Sequence, residues 1–362
     1  MRVALLVPTL EIGGVERMFA NLANGLHQCG VEVDLVVGRA GGDMEMVLEE
    51  DIHVFDLECN HMTRSVTGVA KYLHARKPVA VIAGMTHCTA AAVAARSISR
   101  QKTKIIATEH NTMSKVVANS KGLKYRWLRR WGCWALNSAD LIVAVSHGVA
   151  NDLSEQTGIL RQRLQVIYNP VITDAFYSDA AAAVLHPWFQ PGEPPVILAV
   201  GRLDKQKDFP MLVRAFSIVR KRRSARLMIL GEGPDRSRIE KIAEEADLAC
   251  HIALPGFEQN PYKFMNHAAV FAFSSQWEGF GVALVEALAL GVPVVSTNCT
   301  YGPAEILCNG KFGALVPVGD HEAMARALLD ALDNPVRNDS SEHLQQFTVR
   351  SVASNYLSVI NS

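Results

Sequence analysis

The chain has 362 residues, of which 49% are apolar and 20% charged, and its 36 lysine and arginine residues balance 36 aspartate and glutamate residues. This length is typical of two domains, and a formal net charge of zero gives no long-range field that would attract nucleic acid or an acidic partner. The seven cysteines include no C-x-x-C pair, which indicates reduced thiols and argues against a zinc site. The sequence contains no run of 18 apolar residues, so it predicts no transmembrane helix, and we expect a cytosolic protein.

In the first half of the chain, short β-rich runs alternate with amphipathic patterns of helical period. The first run carries one arginine and lacks a small-residue cleavage site, so it reads as a buried strand and not as a leader. The runs predict strands at 3–8, 32–38, 53–58, 80–84, 104–110, 140–146 and 165–170, and helices at 15–29, 66–76, 89–99 and 149–156.

The second half repeats this alternation. It predicts strands at 196–201, 226–231, 251–256, 270–275, 292–297 and 314–318, and helices at 209–222, 236–246, 282–290 and 321–332. Strands that are apolar on both faces and separated by helices indicate parallel sheets covered on both sides. The sequence therefore predicts an α/β fold of two doubly wound, Rossmann-like lobes that face each other across a cleft.

The lobes are separated by a segment rich in alanine and proline. We predict an N-terminal lobe at 1–178, a linker at 179–195 and a C-terminal lobe at 196–340. The remaining segment, 341–362, contains a last helical pattern at 347–360, which could pack back on the N-terminal lobe or on the other lobe.

Ligands of open parallel sheets bind beyond the carboxyl ends of the strands, so candidate site residues are sought there. Gly13 and Gly14 lie at the turn from the first strand to the first helix, where backbone N–H groups can approach a phosphate. A plain tight turn explains the two glycines equally well. The chain has no G-x-G-x-x-G after the first strand of either lobe, which argues against a Rossmann dehydrogenase.

Three cations, Arg202, Lys205 and Lys207, follow the first strand of the second half. Clustered cations just past a strand end suit a diphosphate, although a solvated basic turn is the simpler explanation. The next strand ends in Gly231-Glu232-Gly233-Pro234, for which a structural turn is the default interpretation.

Two glutamates, Glu278 and Glu286, stand among glycine and apolar residues in WEGFGVALVEALALGVPVVST, residues 277–297. Burying an unpaired carboxylate costs several kcal/mol, so both glutamates need partners. Glu278 lies in the loop before a helix and Glu286 within that helix, so the two can address different hydroxyl-bearing parts of one extended ligand, with the N–H groups of 280–282 between them. The structural alternative is a helix-capping glutamate and one buried salt bridge.

Taken together, these motifs resemble the retaining, nucleotide-sugar-dependent glycosyltransferases of family 4, which have the two-lobed GT-B fold. The resemblance covers roughly residues 1–332. The residues that carry it are Gly13, Gly14 and Glu16; Glu109, His110 and Asn111; Ser146; Asn169 and Pro170; Gly201 and Arg202 through Lys207; Gly231, Glu232, Gly233 and Pro234; and Glu278, Gly279, Phe280, Gly281 and Glu286.

The resemblance implies roles for individual residues. Catalytic roles fall to His110, near the reacting carbon of the donor sugar, to Arg202 and Lys207 on the leaving diphosphate, and to Glu278 on the sugar hydroxyls. Glu286 would hold the ribose. The implied nucleotide-sugar-binding set is Gly13, Gly14, Gly201, Arg202, Lys207, Gly231, Gly233, Glu278, Gly279, Phe280, Gly281, Val282 and Glu286.

The resemblance further implies that no metal or other cofactor is required, because the cations stabilise the leaving group, and the chain has no Asp-x-Asp beside a strand end. It favours a UDP-linked hexose or N-acetylhexosamine over GDP or ADP donors. One departure is Asp208, where many relatives have glycine. The intact set of charged residues argues against a catalytically dead nucleotide-sugar-binding protein, which stays the alternative from another functional class.

The expected acceptor is lipid-linked or a glycan of the cell surface, bound by the N-terminal lobe. Segment 115–134 has six basic residues, no acidic residue, and tryptophans at 127, 131 and 134, a pattern that suits the headgroup level of an anionic membrane. We therefore expect a cytoplasmic protein, peripheral on the inner face of the cell membrane. If Trp127, Trp131 and Trp134 instead face the sheet, a soluble small-molecule acceptor becomes the better hypothesis.

Overall fold

A computed structural model describes residues 1–11, 13–110, 112–114, 123–335 and 340–362, and only the backbone of residues 63 and 123–129. The chain divides into two compact units. The first unit comprises Met1–Thr173 with Gln346–Ser362, and the second comprises Asp174–Gln345.

In the described part of the first unit, seven parallel strands form one sheet in the order β3-β2-β1-β4-β5-β6-β7. The strands are β1 (Arg2–Val7), β2 (Glu32–Val37), β3 (His53–Asp56), β4 (Ala80–Gly84), β5 (Lys104–Glu109), β6 (Leu141–Ala144) and β7 (Leu164–Val166). The order reverses between β1 and β4, as in a doubly wound sheet. β1 and β4 are buried almost throughout because helices cover both faces.

Helices of the first unit connect and cover these strands. They are Gly14–Gln28, Val66–Arg76, Thr86–Ser99, Leu123–Ser138 and His147–Thr157, together with the C-terminal Val349–Asn361. This last helix, whose place the sequence left open, packs on Gly14–Gln28. A Cβ at Gly25 would lie 2.5 Å from Val349 Cγ1, so only glycine allows this approach. Lys104 Nζ donates hydrogen bonds to the carbonyl oxygens of Val359 and Ile360, which neutralises part of the helix's C-terminal dipole.

The described part of the second unit contains a sheet of six parallel strands in the order β10-β9-β8-β11-β12-β13. The strands are β8 (Val196–Val200), β9 (Arg226–Leu230), β10 (Ile252–Gly256), β11 (Val270–Phe273), β12 (Val294–Thr297) and β13 (Ala314–Val316). The order reverses between β8 and β11. The connecting and covering helices are Phe176–Ala180, Phe209–Arg222, Arg236–Glu245, Pro261–His267, Val282–Ala289, Pro303–Ile306, His321–Asp333 and Ser341–Leu344.

The boundaries of the units differ from the predicted linker at 179–195. That segment belongs to the second unit, because Asn260 Nδ2 donates a hydrogen bond to the Asp179 carbonyl oxygen at 2.8 Å and the Arg226 guanidinium lies 4.9 Å from the centre of the Trp188 ring. The second unit therefore begins at Asp174 and ends at Gln345, not at 196 and 340.

No helix among the described residues has both the length and the apolar character needed to cross a bilayer. All seven cysteines lie in the described ranges, and each is a free thiol.

Candidate functional site

The charged candidates of the second unit lie at the point where the strand order reverses. Gly201 to Asp208 follow β8, and Ser274 to Gly281 follow the adjacent strand β11. In doubly wound sheets this reversal opens a crevice at the carboxyl ends of the strands, which is where ligands bind.

Lys207 and Glu278 form a buried ion pair. Lys207 Nζ lies 2.6 Å from Glu278 Oε1, and the side chains are 21% and 8% exposed. Ser275 Oγ donates to Glu278 Oε1 at 2.6 Å, and Gln206 Nε2 donates to Oε2 at 3.3 Å. The carboxylate thus has protein partners without a substrate. For Glu278 the structure thus contains the buried salt bridge of the structural alternative, and its predicted contact with sugar hydroxyls stays a prediction.

Further hydrogen bonds join the loops that carry this ion pair. Ser274 Oγ donates to the backbone carbonyl oxygen of Lys207 at 2.6 Å, and the backbone N–H of Gln276 donates to the backbone carbonyl oxygen of Gln206 at 2.8 Å. Gln206 Nε2 also donates to the Trp277 carbonyl oxygen at 3.0 Å. Sequence reasoning missed these polar residues. Their one signal is position, since Gln206 directly precedes Lys207, and the residues from Ser274 to Gln276 lie between the end of β11 and Glu278.

Asp208, the departure from the family pattern, has φ +47, which is a left-handed conformation. Glycine adopts this conformation without strain, and aspartate tolerates it better than most residues do. Gln276 Nε2 donates to Asp208 Oδ2 at 2.9 Å, so the substituted position adds one more tie between the two loops.

Arg202 stands apart from the Lys207–Glu278 pair. Its side chain is 75% exposed, and its ion pair among the described residues is with Asp204, at 3.9 Å. An exposed pair at this distance contributes little to stability. The guanidinium is therefore available to an incoming anion at little cost.

The glycines after β8 and β9 serve close backbone packing. Gly231 has φ +141, and a Cβ there would collide with the carbonyl oxygen of Gly201. A Cβ at Gly233 would collide with the carbonyl oxygen of Leu203, and a Cβ at Gly201, whose φ is +156, would lie 3.2 Å from Lys207 Cε. These contacts explain the glycines structurally, and their predicted contact with the nucleotide stays a prediction.

The helix Val282–Ala289 follows the Glu278 loop directly. Gly281, with φ +106, precedes its first residue, and Phe280 before it is buried. A Cβ at Gly302, in the loop after β12, would collide with the Phe280 carbonyl oxygen, so that loop holds the helix start in place. Glu286 lies within the helix and is buried, at 4% exposure.

Cys299 lies behind the ion pair. Burial and, to a smaller extent, the nearby Glu278 carboxylate raise the pKa of its thiol to about 12, although Lys207 opposes the shift. The thiol is therefore protonated at neutral pH and inert as a nucleophile. Among the described residues, no cluster of three or more His, Cys, Asp and Glu side chains is placed to hold a metal ion.

In the first unit, Gly13 is extended and the helix begins at Gly14. A Cβ at Gly13 would collide with the Glu16 carboxylate, whereas nothing lies within 4 Å of a Cβ at Gly14. Burial raises the pKa of Glu16. The Glu16 carboxyl group therefore already lies beside the helix N-terminus, the place that an incoming phosphate would also approach.

Glu109 and His110 lie at the carboxyl end of β5, and both are buried at 8% exposure. Burial raises the pKa of Glu109 to about 7, and a hydrogen bond from Thr86 Oγ1, at 2.8 Å, opposes the shift. Burial lowers the pKa of His110 to about 4, and a hydrogen bond with the side chain of Asn169 opposes that shift. The imidazole is therefore neutral at pH 7.

Part of the predicted membrane-binding segment lies outside the described residues. Residues 115–122 are not described at all, and the side chains of residues 123–129, which include Trp127, are not described either. Asn111 also lies outside them. Trp131 and Trp134 are described, and they are 39% and 45% exposed. Their rings stack at 6.3 Å, and the neighbouring Arg130 is exposed. Two of the three tryptophans thus face away from the core.

Two family models match the chain over most of its length. Residues 12–175 match the model described as Glycosyltransferase Family 4, and residues 186–348 match the model described as Glycosyl transferases group 1. The chain belongs to the group 1 glycosyltransferases. The group 1 match contains Arg202, Lys207, Glu278 and Glu286, and the family 4 match contains Gly14 and His110.

Individual relatives of this glycosyltransferase have low sequence identity to it. It is 33% identical, over 54% of its length, to the N-acetylgalactosamine-N,N'-diacetylbacillosaminyl-diphospho-undecaprenol 4-alpha-N-acetylgalactosaminyltransferase of Campylobacter jejuni, and the match spans about half (52%) of that relative's length. It is 25% identical to the lipopolysaccharide core biosynthesis glycosyltransferase LpsE of Rhizobium meliloti, over 97% of this chain and 96% of that one.

Solved structures support the fold. The structure of Anabaena Alr3699/HepE, in complex with UDP and glucose, aligns over 100% of both chains with a TM-score of 0.84 and 18% identity. The lipopolysaccharide outer core galactosyltransferase WaaB aligns over 99% of both chains with a TM-score of 0.73 and 20% identity. The two parallel-sheet units are thus those of the GT-B fold.

Proposed function

We propose that this chain transfers a hexose or N-acetylhexosamine from a UDP-sugar to a lipid-linked or glycan acceptor in cell-surface polysaccharide synthesis, with retention of the anomeric configuration. The observation that carries the proposal is the buried Lys207–Glu278 pair at the strand-order reversal of the second unit, with Arg202 exposed in the same loop. This arrangement combines cations for a diphosphate with a fixed carboxylate for hydroxyl groups.

In the proposed reaction, the bond between the anomeric carbon and the β-phosphate oxygen breaks, and its electron pair remains on the diphosphate. Arg202 and Lys207 stabilise the negative charge that develops there, which lowers the barrier because the lysine is held in place before the reaction. The acceptor hydroxyl attacks from the same face, and its proton passes to the leaving phosphate oxygen. No metal ion is needed in this scheme.

The ion pair suggests how the two cations divide the work. Lys207 begins bound to Glu278, so its charge is partly neutralised before the donor binds, whereas the exposed Arg202 is not restrained in this way. We infer that Arg202 contributes most to the capture of the diphosphate. Lys207 then orders both the diphosphate and Glu278, which keeps its hydrogen bonds from Ser275 and Gln206.

The proposed acceptor side is the first unit. The exposed, stacked pair of Trp131 and Trp134 beside Arg130 supports reversible contact with an anionic membrane, where a lipid-linked acceptor would be found. A soluble acceptor is the second candidate. One relative, 23% identical over 72% of this chain, is the N-acetyl-alpha-D-glucosaminyl L-malate synthase of Bacillus anthracis, whose name gives L-malate as its acceptor.

The deciding experiment incubates the purified protein with UDP-, GDP- and ADP-sugars and measures released nucleoside diphosphate, first alone and then with undecaprenyl-diphosphate-linked sugars or with L-malate. We expect release from a UDP-sugar, stimulated by the lipid-linked acceptor. NMR of the product should show the anomeric configuration of the donor. An inverted product would contradict the retaining mechanism, and release from none of the donors would contradict the function as a whole.

A further inference from the structure

The carboxylate of Asp204 lies in the turn between the two candidate cations Arg202 and Lys207, and the transfer scheme gives it no role. The residue before it, Leu203, is fully buried. The backbone N–H of Leu203 donates to the Glu232 carbonyl oxygen at 2.9 Å, and its carbonyl oxygen accepts the backbone N–H of Asp235 at 2.9 Å. The loop after β9 therefore fixes the chain directly before Asp204.

One oxygen of this carboxylate closes the turn. Asp204 Oδ1 accepts the backbone N–H groups of Gln206 at 3.0 Å and of Lys207 at 3.3 Å. This is the pattern by which aspartate and asparagine stabilise turns. The side chains of Gln206 and Lys207 both donate to the Glu278 carboxylate. Asp204 Oδ1 thus fixes the backbone from which the Lys207 ammonium group reaches Glu278.

The other oxygen of the carboxylate faces the second cation. Asp204 Oδ2 lies 3.9 Å from Arg202 Nε, and the two side chains are 28% and 75% exposed. A pair this exposed is weak. A diphosphate carries more charge and more acceptor oxygens than one carboxylate, so it can displace Asp204 from the guanidinium. The displaced carboxylate then lies close to the bound anion and repels it.

We propose that Asp204 is a positioning residue with two opposed effects on the donor. Its Oδ1 sets the turn that presents Lys207, and its Oδ2 is the counter-ion of Arg202 until the diphosphate replaces it. The proposal rests on the proposed glycosyl transfer from a nucleotide sugar. A cation held in place before the reaction lowers the barrier, whereas the charge of Asp204 weakens diphosphate binding and so eases release of the nucleoside diphosphate product.

The first test compares Asp204→Ala with Asp204→Asn. Both variants lose the charge, but only asparagine keeps an acceptor oxygen for the turn. For transfer from UDP-glucose or UDP-N-acetylglucosamine, we expect Asp204→Ala to lose about tenfold in kcat. Hydrogen-exchange NMR should show the Gln206 amide proton exchanging about tenfold faster, and that of Lys207 less so, because the Asp204 carbonyl oxygen also accepts it, at 3.2 Å. Asp204→Asn should recover most of both losses.

Isothermal titration with free UDP tests the role as counter-ion. Asp204→Asn should bind UDP about three- to fivefold more tightly than the wild type at low salt, and the gain should shrink as the salt concentration rises. Glu245→Gln is the matched control, because Glu245 is 64% exposed at the last residue of the helix Arg236–Glu245. This variant should bind UDP as the wild type does. An aspartate with a structural role alone would not give tighter binding when its charge is removed.

Two results would overturn the inference. One is equal kcat and equal amide exchange in the asparagine and alanine variants. The other is a UDP affinity of Asp204→Asn that equals or falls below that of the wild type. A wild type that binds no nucleoside diphosphate and releases none from any donor would instead refute the proposed function, and the counter-ion role with it. Amide exchange needs no donor, so it would still test the turn.

Discussion

Replacing Lys207 by methionine removes the cation of the Lys207–Glu278 pair and keeps most of its apolar stem. The Glu278 side chain, at 8% exposure, would then hold a charge with no counter-ion. Removing one partner of a buried ion pair typically lowers the free energy of unfolding by about 3–5 kcal/mol. Because hydrogen bonds from Ser275 and Gln206 remain, we expect the lower end, about 3 kcal/mol.

The double variant Lys207→Met with Glu278→Gln tests this reasoning, because it removes the stranded charge and keeps an acceptor for Ser275. The second unit of the double variant should be more stable than that of Lys207→Met alone by about 2 kcal/mol. Hydrogen exchange of residues 270–290 under native conditions measures the stability of this unit. Lys205→Met, at an exposed position in the same loop, is the matched control and should change little. If the two single changes simply add, the ion pair does not stabilise the unit and the argument fails.

Four further predictions concern other parts of the chain. Arg202→Ala should slow glycosyl transfer by about two to three orders of magnitude, whereas the control Lys205→Ala should be close to the wild type. Excess EDTA should not change the activity. Activity that EDTA abolishes and Mg²⁺ restores would refute the metal-free scheme. The pKa of Glu109 rises from 4.5 to about 7 on folding, so the folded state binds more protons than the unfolded state between these values, and its stability falls as the pH rises through 7. In urea unfolding, Glu109→Gln should therefore be about 3 kcal/mol more stable than the wild type at pH 8 and equally stable at pH 4. An equal gain at both pH values would contradict the pKa shift. Asp208→Ala should cost about 1 kcal/mol and Asp208→Gly less, because only glycine is unstrained at φ +47; equal losses in thermal melts would refute this. The protein should sediment with anionic vesicles at low salt and be released at high salt, and Trp131→Ala with Trp134→Ala should weaken that binding; unchanged sedimentation would exclude these tryptophans.

Much of the secondary structure could be read directly from the sequence. The helices Val66–Arg76 and Phe209–Arg222 have their predicted bounds, because amphipathic period, a preceding turn and a following polar stop all agree locally. The strands were found but predicted too long, as with β6 and β11. Residues just past a parallel strand are often apolar or β-branched as well, and only the partner strand decides where pairing ends.

The sequence also located the candidate charges of the second unit at strand ends. It did not identify Ser275, Gln206 or Gln276, because single polar residues in loops have no periodic signal. It interpreted Gly231 and Gly233 as a structural turn by default, with a nucleotide contact implied by the resemblance, and the structure adds a steric reason for both glycines that comes from the neighbouring loop. Which loop lies beside which is set by strand order, and strand order depends on contacts far apart in the chain.

What this sequence determined by itself is the strands, most of the longer helices, the α/β class, the family resemblance and the positions of its charged residues, since periodicity and local motifs carry these. What only the tertiary structure decided is how those residues are paired. Lys207 and Glu278 are 71 positions apart and meet because β8 and β11 are neighbours in the sheet. His110 and Asn169 belong to different strand ends, yet their side chains meet, and burial lowers the pKa of His110 so that its imidazole is neutral. Proton affinity and unmet hydrogen bonds arise from desolvation and from neighbours in space, and neither is a property of local sequence.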